Sequence, residues 1–568
     1  MSRREAWLTA LGVFAVALLV RAVAAAAVPF PKPEDTAYYV GVARNIAEGR
    51  GIVSDALWSY ATPPLVFPRP AFEVWLPLPS FLFAIPLLLS GAAAPIPLET
   101  AMRAGQAVTV PLGALLAVLA WRLAADVAAE RGLGTGRART LAIGSGLTTA
   151  VYLPLILHSV QPDSTLLFGV LALGAALLMT RVLRNPRGAR PTDPRLLAMG
   201  LLLGAAALTR NEALWIALVW AWLAGRRAGS PRAERVRLIG VVAVVSVLVF
   251  APWALRDWLV FGNPLPGQAV SNALSVAGFD IFAWNDPPTL ARYLAVGPAR
   301  LLEMRVEGIA HNVVNVLVLL GIPLAVVGLL ALPWQARDRS LRPVVLVGGI
   351  TFLVTSLAFP VATTWGTFLH AAAPVHVLLI ISALGAFDGM LTAVGRRLGW
   401  TRPVAWMGAV LAVGGSALLA AALLPSVAAG ALETQRTYAV LAKQMAAIGA
   451  PLDGSHPVIA DFPIWTAETQ RIPALALPDE KPSDVLDLAT DPRFGAEWLI
   501  MTKQDHGAWP VILDDPSDPA AACFHEVSLP VPADPADARA VKDARAWRIG
   551  CEPAAAGVTH DPAGRLSP

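Results

Sequence analysis

Charge is what this sequence lacks most. Only 15% of its 568 residues are Asp, Glu, Lys or Arg, and 56% are hydrophobic, whereas soluble domains carry about a quarter charged residues. The formal net charge of +4 is too small to indicate nucleic acid as a partner. Apolar runs long enough to cross a bilayer recur, for example at 7–27, 309–332 and 404–424. The sequence therefore predicts a mainly α, polytopic helical membrane protein.

Cysteine and nucleotide-binding motifs are scarce as well. The two cysteines, Cys523 and Cys551, lie in the polar C-terminal region. If that region is extracytoplasmic they can form a disulfide, and otherwise they stay free thiols. No CxxC spacing indicates a metal site. Because GxGxxG, P-loop and HExxH motifs are all absent, soluble nucleotide chemistry has no support.

The apolar segments predict about 11–12 hydrophobic helices. The candidates are 7–28, 76–91, 104–121, 140–157, 164–182, 196–208, 211–224, 236–254, 309–333, 343–360, 371–388 and 403–424. Arginine-rich connectors mark the cytoplasmic side by the positive-inside rule, at 181–195, 226–237, 337–342 and 396–402. Arg3 and Arg4 place the N-terminus there too. Twelve crossings would bring the C-terminus back to the cytoplasm, although the last connectors place it outside, so one segment within 76–121 is expected not to cross.

Three regions follow from this pattern. Residues 1–425 form the membrane domain, whose first extracytoplasmic loop is 29–75. Residues 431–552 alternate short apolar strands with helix-like stretches, which predicts a small extracytoplasmic α/β domain. The Pro- and Ala-rich tail, 553–568, is expected to be disordered. The expected location is the inner (plasma) membrane.

Asp35 is the first candidate for chemistry. It opens a predicted helix, 36–48, that Gly49 closes. An aspartate there is typical of an N-cap. A carboxylate at the membrane surface can also act as a general base on an acceptor hydroxyl. The two roles can coexist, and Glu34 is expected to point elsewhere because neighbouring residues do not share a helix face.

Four motifs in order carry a resemblance to a known superfamily. They are EDTAYYVGVARNIAEGRG at 34–51, LTRNE at 208–212, PWALRDWLVFGNP at 252–264 and GTFLH at 366–370. Together they resemble the GT-C membrane glycosyltransferases, in particular protein O-mannosyltransferases, lipid A aminoarabinose transferases and RgtA-like bacterial enzymes. The similarity extends over roughly residues 5–390.

The resemblance implies transfer of a sugar, with inversion, from a polyprenyl-phosphate donor to an extracytoplasmic acceptor (glycan, lipid or protein). Asp35 matches the carboxylate that serves as the base. Arg69, in FPRP, matches a lysine at the donor phosphate in the aminoarabinose transferases. Pro68 replaces the preceding glutamate, which those enzymes associate with a metal. A divalent metal therefore stays open, and no metal ligand is assigned.

Six residues are expected to bind the lipid phosphate or the acceptor. Cations suit a departing phosphate, because it is an anion, and arginine matches its oxygens best. The set comprises Arg69, Arg210, Arg256, His370, Asp163 and Glu212. Each also has a structural interpretation: a snorkelling or interfacial arginine, a satisfied core histidine, or a helix cap for Asp163. Tyr38 and Tyr39 are expected to anchor at the membrane interface.

Two other function classes compete with the enzyme. A lipid or sugar transporter or flippase would show internal repeats and polar groups near mid-membrane, and the sequence has no such repeat. A non-catalytic cell-envelope scaffold would tolerate the loss of Asp35. The expected partners are membrane lipids, the polyprenyl-phosphate sugar and the acceptor; the sequence does not name the sugar or the acceptor.

Overall fold

The computed structural model describes residues 2–184, 190–227, 230–400 and 404–551. Long apolar sequence folds mainly into helices, since only a helix satisfies every backbone group in lipid. In chain order these are α1 (Arg3–Ala27), α2 (Glu34–Ala47), α3 (Leu78–Ser90), α4 (Leu98–Glu130), α5 (Thr135–Val151), α6 (Leu153–Val160), α7 (Thr165–Arg184), α8 (Pro194–Ala207), α9 (Ala213–Gly225), α10 (Arg232–Phe261), α11 (Ala269–Leu274), α12 (Leu290–Ala295), α13 (Gly297–Ala310), α14 (Leu324–Gln335), α15 (Arg342–Leu357), α16 (Thr367–Ala371), α17 (Ala373–Arg397) and α18 (Trp406–Ala447).

Six of the described helices, α1, α4, α7, α10, α17 and α18, are long and apolar enough to cross a membrane. Two bent pairs raise the number to eight: α5 with α6, bent by 48°, and Gly297–Leu319 with α14, bent by 113°. The second pair includes a π-helical stretch, His311–Leu319. Four shorter apolar helices, α3, α8, α9 and α15, complete the set. The prediction of a polytopic helical membrane protein is confirmed.

Ten of the twelve predicted apolar segments lie largely in one helix each, whereas 140–157 and 309–333 are each divided by a bend. The segment 140–157 divides at Tyr152 into α5 and α6, where Pro154 starts the second helix. In the 76–121 region, α3 has only 13 residues. That is roughly 20 Å of helix, less than the hydrocarbon thickness of about 30 Å.

A mixed sheet follows the last long helix, as predicted. The strands are β1 (Val53–Ser54), β2 (Ala56–Leu57), β3 (Arg69–Pro70), β4 (Val458–Ala460), β5 (Ala474–Ala476), β6 (Trp498–Met501), β7 (Phe524–Val527) and β8 (Arg545–Ile549). The six-stranded sheet has the order β2-β5-β4-β6-β8-β7, with β2, β5, β4 and β6 parallel and β8 antiparallel to both its neighbours. Helices α19 (Pro463–Gln470), α20 (Pro482–Thr490) and α21 (Pro535–Ala540) connect these strands.

The edge strand β2 comes from the first loop, which the sequence did not predict. Its residues pair with Ala474 and Leu475 of β5, so the loop at 29–75 and the C-terminal region share one sheet. Cys523 and Cys551 form a disulfide. The tail predicted to be disordered, 553–568, lies outside the residues that the structure describes.

Helix α2 packs directly against α19. Arg44 and Glu468 form an ion pair between side chains that are 3% and 2% exposed, and Arg471 pairs with Glu48. At Gly41 the two helices are so close that a Cβ atom would lie 2.1 Å from Cδ of Glu468. The helix that carries Asp35 is therefore fixed to the C-terminal sheet by buried charge.

Gly41→Ala is expected to destabilise the protein, although alanine favours helices over glycine by about 1 kcal/mol. The new methyl group would displace the Glu468 carboxylate from Arg44, and breaking a buried ion pair costs about 3 kcal/mol or more. Thermal unfolding of the purified protein in detergent measures the effect. Gly12→Ala in α1 is the matched control, because its Cβ would meet nothing within 4 Å. Equal melting temperatures for the two variants would contradict the close packing at Gly41.

Candidate active site

Four chain segments that are far apart in sequence meet on one side of the helical bundle. They are the first turn of α2, the turn between α6 and α7, the break between α8 and α9, and the short helix α16. Five predicted residues lie on these segments: Asp35, Asp163, Arg210, Glu212 and His370. Asp35 and Asp163 contact His370 directly, and the Arg210–Glu212 pair is held beside them through Ser164 and Thr367. We call this set, with His158, the acidic–basic cluster.

Asp35 does not cap its helix. Helix α2 begins at Glu34, two residues earlier than predicted, with Pro33 at the N-cap and no side-chain cap hydrogen bond. The N-cap interpretation of Asp35 is therefore wrong, because the residue lies inside the first turn. Its Oδ2 instead lies 3.1 Å from Nε2 of His370, and 29% of the side chain is exposed. Asp35 is thus a partly accessible carboxylate with a basic partner.

His370 links two carboxylates. Its Nε2 faces Asp35, and its Nδ1 lies 3.2 Å from Oδ2 of Asp163 and 3.0 Å from Oγ1 of Thr165. Burial alone would lower the pKa of the imidazole, but the hydrogen bonds and charges of Asp163 and Asp35 outweigh it and raise the pKa to about 9. In the absence of a metal ion the two acids therefore favour the protonated form of His370, whereas a bound metal ion would require one of its nitrogens to be unprotonated.

Asp163 is the buried centre of the cluster, with 4% of its side chain exposed. Its Oδ2 also lies 2.7 Å from Nδ1 of His158, and its Oδ1 accepts from the Thr165 backbone N–H at 2.7 Å. Burial opposes ionisation, yet the neighbouring His158 and His370 hold the pKa of Asp163 well below its usual range. Asp163 therefore caps the start of α7 with one oxygen and contacts both histidines with the other.

His158 is the member of the cluster that the sequence did not predict. It lies near the end of α6, and the bend between α5 and α6 turns that end towards Asp163. The only signal in the sequence is its position five residues before Asp163. A lone histidine at that spacing is too common to indicate a site.

Arg210 occupies the break between two apolar helices, where the chain leaves α8 and enters α9. It makes a bidentate contact with Glu212, at 2.9 and 3.1 Å. It also donates to Oγ of Ser164 at 3.0 Å and to the Thr367 carbonyl at 3.2 Å. One guanidinium thus connects three of the four segments, and its side chain is 14% exposed.

The adjacent tyrosines are core residues. Tyr38 and Tyr39 are 1% and 2% exposed, so the expectation that they anchor at the membrane interface is wrong. The Tyr38 hydroxyl accepts from the Phe72 backbone N–H at 2.7 Å. Tyr39 lies beside Arg210 and Asp35, and burial raises the pKa of its hydroxyl. Both rings fix α2 in place behind Asp35.

Two of the predicted cations, Arg69 and Arg256, contact residues outside the acidic–basic cluster. Arg69 is fully buried, and its nitrogens donate to Glu73 and to the carbonyls of Pro64 and Thr62. Every one of these partners belongs to the first loop, so Arg69 holds that loop together. The expectation that Arg69 faces the donor phosphate does not match this arrangement.

Arg256 lies on α10 and stacks over the ring of Trp253 at 4.7 Å, with Nη1 bonded to Asp257 at 2.9 Å. Its contacts with Trp253, Phe261 and Asp257 all lie within its own helix. The structure therefore does not join Arg256 to the acidic–basic cluster.

Three members of the cluster have the donor set of a metal site. One ligand atom from each of His158, Asp163 and His370 lies within 4.8 Å of the others. Two imidazole nitrogens and one carboxylate oxygen match the protein ligands of His₂-carboxylate zinc sites. Asp35, on the far nitrogen of His370, stands where such sites place an orienting carboxylate. The residues present therefore fit a divalent cation.

No protein-family model matches this sequence, and no curated protein matches it either. Similar solved structures exist. The Archaeoglobus fulgidus oligosaccharyltransferase AglB, in complex with an inhibitory peptide and a dolichol-phosphate, aligns with a TM-score of 0.54 at 12% identity over 93% of this chain and 74% of that one. The Archaeoglobus fulgidus oligosaccharyltransferase complex with Zn and sulfate aligns with 0.54 at 14% identity, over 90% and 71%.

ArnT from Cupriavidus metallidurans in the apo state aligns with a TM-score of 0.51 at 12% identity. That alignment covers 96% of this chain and 98% of ArnT, so it includes both the helical region and the C-terminal sheet. At these identities the likeness concerns the fold. The chain has the fold of the GT-C membrane glycosyltransferases.

Proposed function

We propose that this protein is an integral membrane glycosyltransferase that moves a sugar from a polyprenyl-phosphate donor to an extracytoplasmic acceptor with inversion. The observation that supports this most directly is the contact of Asp35 with His370 on a GT-C fold, with Arg210 bonded to Ser164 and Thr367 of the adjoining segments. A base for the acceptor and a cation for the leaving phosphate are the two groups that the reaction needs.

Asp35 is the better base of the two acids beside His370. Asp163 is buried and both of its carboxylate oxygens have hydrogen-bond partners. Asp35 faces His370 with one oxygen, and its side chain is 29% exposed. An acceptor hydroxyl would give its proton to Asp35 as its oxygen bonds to the anomeric carbon. The bond from that carbon to the phosphate oxygen breaks on the opposite face, which inverts the configuration. His370 keeps the carboxylate oriented.

Arg210 is the proposed ligand of the departing lipid phosphate. Glu212 accepts from the planar fork of its guanidinium in this structure, and a phosphate that replaced or shared this contact would meet the same donors. It lies in a gap between two apolar helices, where a charge is costly and is usually functional. Dolichol-phosphate is present in the AglB structure that shares this fold. A polyprenyl phosphate at the helix break would place its anion beside Arg210 and its chain in the bilayer.

A divalent cation held by His158, Asp163 and His370 would supply further positive charge to a phosphate oxygen. We expect Zn²⁺ to bind the purified protein, and His158→Ala to weaken that binding by roughly tenfold or more. Isothermal titration calorimetry with ZnCl₂ measures the affinity. His311→Ala is the control, since that histidine is not one of the three candidate ligands and hydrogen-bonds Asn315 within the π-helical stretch. Unchanged Zn²⁺ affinity in His158→Ala would remove the proposed metal site.

The direct test of the function is transfer from a panel of radiolabelled polyprenyl-phosphate sugars by the purified full-length protein in nanodiscs. At least one donor is expected to be consumed, either by transfer or by slow hydrolysis. Extraction of the lipid phosphate and of the released sugar follows both products. If no donor of the panel is bound or consumed, the proposed function is wrong.

A further inference from the structure

Six aromatic side chains form a continuous row beside the acidic–basic cluster. Tyr38 and Trp75 have ring centroids 4.1 Å apart, Trp75 and Trp58 are separated by 4.8 Å, and Trp58 and Phe282 by 5.2 Å. Phe282 then lies 5.8 Å from Trp365. Phe279 packs behind the last two rings. We call these six residues the aromatic row.

Both ends of the aromatic row lie at the candidate site. Tyr38 follows Asp35 by three residues in α2, so the two are one helical turn apart. Trp365 directly precedes Gly366, whose carbonyl accepts from the His370 backbone N–H at 3.0 Å. The row therefore runs from the segment that carries the proposed base to the segment that carries its histidine partner.

The aromatic row is supplied by loops and short helices. None of its residues belongs to the described helices or bent pairs that could cross a membrane. The loops that supply it are attached to the sheet: the Tyr60 hydroxyl donates to the Ala476 carbonyl at 2.5 Å, and Trp284 Nε1 donates to Asp487 at 3.0 Å. This position favours a water-side ligand over a lipid chain.

The row combines accessible rings with paired charges. Three of its rings can meet a ligand: Trp365 is 42% exposed, and Trp58 and Trp75 are partly exposed. Tyr38 and Phe282 are buried and support these indoles from behind. The charged groups that contact these loops have partners. Arg69 pairs with Glu73 and Arg292 with Asp280, and the carboxylates of Glu480 and Asp487 accept hydrogen bonds from Trp284. A ligand of the row would thus meet indole surface with little free charge. Such a surface favours a neutral molecule over an acidic or basic peptide.

We propose that the aromatic row is the acceptor subsite and that it binds a neutral carbohydrate. The C–H faces of a sugar ring carry a partial positive charge, which suits the negative face of an indole. The hydroxyl rim of the ring stays in water. An oligosaccharide stacked on Trp58, Trp75 and Trp365 would present a terminal hydroxyl to the partly exposed carboxylate of Asp35. This inference rests on the proposed glycosyl transfer and names the chemical class of its acceptor.

Binding of neutral oligosaccharides to the full-length protein in nanodiscs tests the proposal without requiring turnover. The probes are mannohexaose, cellohexaose and arabinohexaose, followed by saturation-transfer NMR and calorimetry. At least one is expected to bind, and Trp365→Ala and the double variant Trp58→Ala/Trp75→Ala should weaken it by roughly threefold to tenfold. Trp400→Ala is the matched control, because Trp400 is 43% exposed but lies after α17, outside the row.

Measuring oligosaccharide binding and undecaprenyl phosphate binding on the same variants distinguishes a failure of this proposal from a failure of the proposed function. Binding of undecaprenyl phosphate is measured on the same variants and should not change. If no oligosaccharide binds, or if the tryptophan variants bind it like the wild type, the aromatic row is not a carbohydrate site, even where the donor panel gives transfer. If those variants lose undecaprenyl phosphate instead, the row serves the donor and the acceptor assignment is overturned.

Discussion

Asp35→Asn is expected to reduce sugar transfer by roughly a hundredfold to ten-thousandfold, the usual contribution of a positioned general base. An amide cannot accept the proton of the acceptor hydroxyl, but it has the size of the carboxylate. Because Asp35 is partly exposed and does not cap α2, the substitution should leave folding and membrane insertion unchanged. The initial rate of transfer from the active donor measures the effect, with the melting temperature as the check on folding.

Glu34→Gln is the matched control for Asp35→Asn. The Glu34 carboxyl accepts from the Ile464 backbone N–H at 3.2 Å and faces α19. Burial raises the pKa of Glu34 to about 8, so at pH 7 the glutamine closely copies the protonated acid. The rate of transfer by this variant should stay within about twofold of the wild-type rate. A twofold change corresponds to about 0.4 kcal/mol, which is within the roughly 0.5 kcal/mol effect of an ordinary neutral substitution. Equal losses in both variants would mean that the start of α2, and not the Asp35 base, limits transfer.

The sequence predicted most of the cluster because its members lie in motifs at helix breaks. Asp35, Asp163, Arg210, Glu212 and His370 each interrupt or border an apolar segment, where a charge has few structural explanations. His158 escaped prediction because its role depends on the 48° bend between α5 and α6. Hydrophobic periodicity reports that a helix exists but gives no bend angle.

The first loop was the least predictable part of the chain. Strand β2 has two residues, too few for an alternation pattern, and its partner β5 is more than 400 residues away along the chain. Arg69 resembled a phosphate ligand from its motif, while Glu73, four residues later, becomes its buried partner. A motif alone could not separate those two roles, since both require a cation at that position.

Removing the Arg210 charge should have the second large effect on transfer. Arg210→Met alone would leave Glu212, which is 7% exposed, buried without a partner, and such a change destabilises by about 3–5 kcal/mol. The double variant Arg210→Met/Glu212→Gln leaves no unpaired charge and should remain folded. Its transfer rate is expected to fall roughly a hundredfold to a thousandfold, the cost of losing one preorganised donor to a developing anion. Its affinity for undecaprenyl phosphate should fall as well.

Two further variants, Arg210→Lys and Arg256→Met, test which arginine binds the leaving phosphate. Lysine keeps the charge but loses the planar fork, so transfer by Arg210→Lys should lie between the wild type and the double variant. Arg256 stacks on Trp253 within α10, and we expect its replacement to lower transfer far less. The opposite order, with Arg256→Met inactive and the double variant active, would move the phosphate site to α10. Because Arg210 lies in the break between α8 and α9 and Arg256 lies in α10, the relative rates decide which of them receives the leaving anion.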